Sequence, residues 1–180
     1  MKFISQCIAL ALATLIMAAP AGAQMRIEAP ARVETQGPYH LRTMFTNSHH
    51  CLETVTKGVN SWVQMAPCSP TAARQQWRVE SLGDGLSRVR VAGREGDLCL
   101  RVVDDGINDG LAAAPCGRTP APVEQWKIEA SARTGYSRLR SPFTGDGKCL
   151  DIVNDGKNNQ LDMADCGDYS GQYWGFARVR

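Results

Sequence analysis

Apolar residues alternate with polar ones in short runs, and the runs come back three times. Trp77 and Val79 fall on one face, with Gln76, Arg78 and Glu80 on the other. Trp126 and Ile128 stand the same way against Gln125, Lys127 and Glu129, and Trp174 with Phe176 repeats the pattern. Leu41, Val89 and Leu139 hold one shared position earlier in each run, and Val63–Met65, Leu111–Ala113 and Leu161–Met163 another. A period of two is the mark of a strand with one buried face. Asn, Asp and Gly gather between the runs, where turns use their side chains and backbone freedom. No segment holds a long 3.6-residue period, so the pattern predicts about four short strands per unit and no helical layer.

Cysteine keeps step with the alternation. Cys51 and Cys68, Cys99 and Cys116, and Cys149 and Cys166 are each seventeen positions apart. Leu52, Leu100 and Leu150 follow the first cysteine, and Gly58, Gly106 and Gly156 stand seven positions after it. Asn60, Asn108 and Asn158 stand nine after it, and Arg42, Arg90 and Arg140 nine before. The units run from about 39 to 83, 84 to 132 and 133 to 180. One four-stranded unit cannot bury its apolar face alone, so the three must share a core. The expected fold is all-β and closed, with threefold pseudosymmetry. Six cysteines allow fifteen pairings, but a unit built three times should close its own loop each time. Zinc is the competing use of cysteine, and it favours close C-x-x-C pairs, which are absent. Each loop of this size should contribute about 3 kcal/mol, mainly by restricting the unfolded chain.

The first 23 residues stand apart from this pattern. Lys2 precedes an apolar stretch from Phe3 to Ala19, and Pro20, Ala21, Gly22 and Ala23 resemble a cleavage site before Gln24. This predicts a secretory signal peptide, hence a secreted protein, extracellular or periplasmic. Cys7 would leave with the signal, and the even six that remain suit an oxidising compartment. Residues 24–38 carry no clear period and read as a mobile leader. About 157 residues then form one domain of ordinary size. Without Lys2 the 20 basic residues become 19, against 18 acidic. That balance argues against nucleic acid as partner, and no further apolar stretch is long enough to span a bilayer as a helix.

The motifs Gln75-Gln76-Trp77 and Gln172-Tyr173-Trp174, with the variant Glu124-Gln125-Trp126, resemble the Q-x-W signature of the ricin B-type lectin family. Cys51-Leu52-Glu53, Cys99-Leu100-Arg101 and Cys149-Leu150-Asp151 resemble its C-[LV]-D start. Three copies of both motifs in step are specific. A more distant resemblance is to the trefoil carrier subunits of cytolethal distending toxins. The resemblance implies a β-trefoil of twelve strands with a hairpin cap, and up to three shallow sugar sites. The alternation itself puts Trp77, Trp126 and Trp174 on the apolar face, so they read as core rather than as sugar platforms.

A hexose offers paired hydroxyls and one apolar ring face, which call for a carboxylate, amides and an aromatic ring. In the family the carboxylate stands two positions after the first cysteine. Here that position holds Asp151 in the third unit, Glu53 in the first and Arg101 in the second. The family's Gln, four before the second cysteine, is matched by Gln64 but replaced by Ala112 and Asp162. Its stacking aromatic is replaced by Ala66, Ala114 and Ala164, and an Asn beside the last Gln by Gly171. The third unit keeps the fullest remainder: Asp151, Asn154, Asp155, Asn158, Asn159, Gln160 and Asp162, with Tyr169 or Tyr173 as a substitute ring. Asn154-Asp155-Gly156 is also a turn sequence. In the first unit, Trp62 lies near Gln64 and Glu53 as a loop-borne contact candidate.

Signals for catalysis are poor. His40, His49 and His50 are the only histidines, and neighbours on an extended segment point to opposite faces. No third metal ligand suggests itself, and no cysteine is left over as a nucleophile. The expectation is a secreted glycan-binding module without catalytic residues, cofactor or metal, its ligand a glycan or glycoprotein. The alternative is a protein-binding trefoil, the subunit of a secreted toxin or enzyme, that has lost sugar recognition.

Overall fold

Each alternating run becomes a strand. The structure, a computed structural model, describes residues 37–46, 49–57, 60–92, 97–104, 109–157 and 159–179. Residues 1–36, where a signal peptide and most of a leader are expected, and Gly58, Gly106, Asn108 and Asn158 lie outside the described residues. The first repeat supplies β1 (Tyr39–Thr43), β2 (His50–Lys57), β3 (Asn60–Pro67) and β4 (Trp77–Gly83). The second supplies β5 (Leu86–Val91), β6 (Leu98–Asp104), β7 (Asp109–Pro115) and β8 (Trp126–Ala130). The third supplies β9 (Ser137–Arg140), β10 (Lys148–Ile152), β11 (Leu161–Asp165) and β12 (Trp174–Arg178). Single 3-10 turns at Ala73–Gln75, Pro122–Glu124 and Ser170–Gln172 precede the last strand of each repeat.

Six strands close a ring. β1 pairs with β4, β4 with β5, β5 with β8, β8 with β9, β9 with β12, and β12 with β1, all antiparallel. Closure leaves these strands no open edge. The other six form the hairpins β2–β3, β6–β7 and β10–β11, which gather against one another through β7. At the joint between the first two repeats, Gly83, Asp84 and Gly85 all have positive φ. Two of the three being glycine is what a tight turn of that hand requires.

The core is threefold like the sequence. Leu41, Val89 and Leu139 are fully buried, as are Leu52, Leu100 and Leu150. Trp77, Trp126 and Trp174 are sealed among them. Each indole N–H donates to the carbonyl of the leucine after the first cysteine: Leu52 at 2.8 Å, Leu100 at 3.0 Å and Leu150 at 2.9 Å. A buried ring of this size needs such a partner for its one polar atom. The disulfides are local, Cys51–Cys68, Cys99–Cys116 and Cys149–Cys166, one per repeat.

The first residue of each Q-x-W motif ties a loop to its strand. The Gln75 amide donates to the Pro67 carbonyl at 2.9 Å and accepts from the Ser69 N–H at 2.7 Å. The Gln172 amide does the same with Asp165 and Gly167, both at 2.9 Å. Each also donates to its repeat's carboxylate, Glu53 at 2.7 Å and Asp151 at 2.9 Å. In the second repeat Glu124 still accepts from Gly117 N–H, but it has no N–H to give a carboxylate. Arg101 stands at the carboxylate position. Arg88 meets the Glu124 charge at 3.5 Å and donates to the Gly117 carbonyl at 2.9 Å.

Candidate functional site

The loop after β1 reaches across the seam where the ring closes. Met44 N–H donates to the Tyr173 carbonyl at 2.9 Å and Phe45 N–H to that of Ser170 at 3.1 Å. The Thr43 hydroxyl accepts from Thr46 N–H at 3.3 Å, bending the loop so that Phe45 sits at its tip. Phe45 thus faces the 3-10 turn of the third repeat. Between them opens a cleft of about 320 Å³. Its walls are Phe45, then Asp151, Ile152 and Asn154 from β10 and its turn, then Asp168, Tyr169, Ser170 and Gly171. Phe45 is 37% exposed and Tyr169 60%. A small open cleft with aromatic rings and a few polar groups has the mixed character of a small-ligand site.

Asp151 is held in place by its neighbours. One carboxylate oxygen accepts from Ile152 N–H at 2.7 Å and the other from the Gln172 amide at 2.9 Å. An ionised carboxylate offers about four acceptor sites, so half remain for a ligand. Gly171 makes room for it: a Cβ there would stand 2.1 Å from an Asp151 oxygen. Gly167 likewise leaves space that the Tyr169 ring occupies, since a Cβ would come within 2.3 Å of that ring.

Across the hairpin, Asp162 is the register partner of Asp151. Burial raises its carboxyl above the ordinary range, and the Asp151 charge adds to the rise. Asp168 is pulled the other way, by the Tyr173 hydroxyl at 2.5 Å and then by Arg133 at 3.0 Å.

The structure sorts the sequence candidates. Asp151 and Asn154 line the cleft. Asp162 stands behind Asp151 on β11, and Asn159 uses its carbonyl to accept from Met65 N–H at 2.9 Å, tying two hairpins. Asn158 lies outside the described residues. Tyr173, expected as a sugar contact, is instead buried and unable to stack on a ligand: it is 3% exposed, with Arg138 and Arg133 at 5.2 and 5.8 Å from its ring centre. Its neighbour Tyr169 takes the exposed place. Glu53, Gln64 and Trp62 share one face of the β2–β3 hairpin, Glu53 opposite Gln64 and Trp62 opposite Val55. None of the three lines the cleft. Glu53 is 6% exposed and already bound by Gln75 and by Arg74 at 3.1 Å, while Trp62 is 39% exposed. Sequence reasoning missed Phe45, Asp168 and Ser170. A signal for Phe45 did exist: it stands three positions after Arg42, as Phe143 does after Arg140, and both rings are exposed. Among the described residues, no group of three His, Cys, Asp or Glu side chains is placed to hold a metal ion.

A family described as the ricin-type beta-trefoil lectin domain matches residues 37–174. No curated protein matches the chain. Among solved structures it is similar to ThreeFoil, a designed threefold-symmetric protein, with TM-score 0.66, 21% identity, and coverage of 80% of this chain and 100% of that one. The cytolethal distending toxin of Haemophilus ducreyi matches with TM-score 0.62 and 13% identity over 83% of this chain and 87% of that one. A Polyporus squamosus lectin bound to a sialylated influenza-binding epitope matches with TM-score 0.57 and 16% identity, over 78% of this chain and 49% of that one. At these identities the likeness is one of fold.

Proposed function

The chain belongs to the ricin-type β-trefoil lectin family, and on that footing we propose that it is a secreted carbohydrate-binding protein whose working site is the cleft at the closing seam. One observation carries the reading: Asp151 keeps acceptor capacity between two exposed rings, Phe45 and Tyr169, in a small open cleft. The carboxylate would take two hydroxyls and a ring would cover the apolar face of the sugar. The other repeats are less suited. Glu53 is spent on Arg74 and Gln75, and Arg101 has no acceptor. Calorimetry with ligands drawn from a glycan array tests this. Asp151→Ala should weaken binding about ten- to hundredfold, as loss of hydrogen bonds to a charged group does. Arg101→Ala should change little. Unchanged binding by folded Asp151→Ala would remove the site.

A second reading has its own support. The position of the family's stacking aromatic is alanine in all three repeats, Ala66, Ala114 and Ala164. A trefoil that has given up sugar in favour of a protein partner, a secreted toxin or enzyme subunit, would look this way. Folded wild-type protein that binds no glycan on the array would favour it.

A further inference from the structure

Each repeat surrounds one carboxylate at its Q-x-W loop differently, and the difference is one of charge. In the first repeat Glu53 is met by Arg74, the residue just before Gln75. In the second, Glu124 is met by Arg88. In the third, the residue just before Gln172 is Gly171, which has no side chain. Asp151 receives only neutral N–H donors, from Ile152 and Gln172. The cations nearby pair with other carboxylates: Lys148 with Asp165 at 3.0 Å, its charge also reaching Asp162, and Arg133 with Asp168 on the cleft wall at 3.0 Å. Asp162 sits directly across the hairpin from Asp151, a second carboxylate that Lys148 offsets in part. Among the described residues, no basic side chain lines the cleft.

We infer that the cleft takes a hexosamine whose amine is free, its ammonium standing before Asp151 where Arg74 stands before Glu53. This rests on the sugar reading above and narrows it to a chemical class. An ammonium would restore the charge balance that the other repeats achieve internally. It would also favour the faces of Phe45 and Tyr169, since aromatic faces attract cations. An N-acetyl group in the same place is neutral, and a carboxylated sugar is repelled. The lone pairs left on Asp151 accept from an ammonium more strongly than from a hydroxyl.

The test compares a glucosamine trisaccharide with its fully N-acetylated counterpart, by calorimetry on the full chain with its disulfides formed. The measurement is made at about pH 6, below the usual range of an amine. The free amine should bind about tenfold tighter, the size of one charge-assisted hydrogen bond. The preference should collapse in 1 M salt, which screens an open site. Asp151→Asn should abolish it, and Tyr169→Ala should weaken both ligands while preserving their ratio. Near-ultraviolet dichroism reports folding, and the salt series on wild type decides the matter if Asp151→Asn does not fold. Equal or tighter binding of the acetylated sugar, or a preference that survives salt, overturns the inference and leaves the sugar reading standing. If no sugar binds, or only a lysine-rich peptide does so through Asp151, both are overturned.

Discussion

At the scale of single residues, identical amino acids divide by environment. Trp126 is sealed and its indole is bonded to Leu100, while Trp62 is 39% exposed. Trp126→Ala should cost about 3–5 kcal/mol in urea unfolding, as large buried aromatics do. Trp62→Ala should stay within about 1 kcal/mol. Equal losses would place Trp62 in the core. Asp162 gives a pH-dependent case. Its carboxyl is raised by burial and by Asp151, so it is easier to protonate folded than unfolded. The penalty is full above the folded pKa, and it fades as pH falls toward the ordinary carboxylate value of about 3.9. Asp162→Asn should therefore stabilise the fold at neutral pH by a few tenths to about 1 kcal/mol, the size of like-charge relief across a strand pair, and so raise the melting temperature. That gain should vanish in acid; a gain that persists at low pH would contradict the coupling. Residue-scale legibility was good where one number mattered. Alternation alone put the three repeated tryptophans on the apolar face. It could not separate Tyr169 from Tyr173, because which ring is buried depends on Arg138 and Arg133 arriving from another strand and loop.

At the scale of elements, the Q-x-W turn is a clamp with two electrical designs. In the first and third repeats a neutral amide joins loop, strand and carboxylate. In the second, a buried Arg88–Glu124 pair does part of that work. Removing one member of a buried pair leaves an uncompensated charge, which costs about 3–5 kcal/mol. Arg88→Met should show that loss in chemical denaturation. Adding Glu124→Gln should recover most of it, because glutamine restores the neutral amide used elsewhere. Failure of the second change to rescue the first would mean that Arg88 acts through packing or through the Gly117 carbonyl. The substitutions of Glu124 and Arg101 were visible in the sequence as departures from a motif. Their electrical relation to Arg88 was not: Arg88 recurs in the third repeat as Arg138, but the recurrence names no partner and Glu124 lies far along the chain. The cleft was half legible for a similar reason. Its β10 wall follows the repeat, whereas Phe45 comes from a different repeat.

At the scale of the whole molecule, twelve strands, threefold symmetry and local disulfides were readable because one unit recurs and each recurrence tests the last. Reduction should weaken the fold by roughly 2–4 kcal/mol per bridge, and non-reduced peptide mapping should find no link between repeats. The order of closure was less visible, since pairing of β1 with β12 is a contact between opposite ends of the fold. That pairing has a consequence for the cleft. Phe45 hangs from the first repeat and Gly171 from the third, so the two walls belong to chain segments that meet only when the ring is shut. The cleft is a latch on the last joint. Strand ends are where local opening is cheapest, and a ligand that needs both walls holds the joint closed by mass action. Hydrogen exchange should then slow at Leu41 and Phe176 on ligand binding, while Leu100 on β6 is unaffected. A ligand at this seam would serve as a seventh element of the ring, supplied from outside.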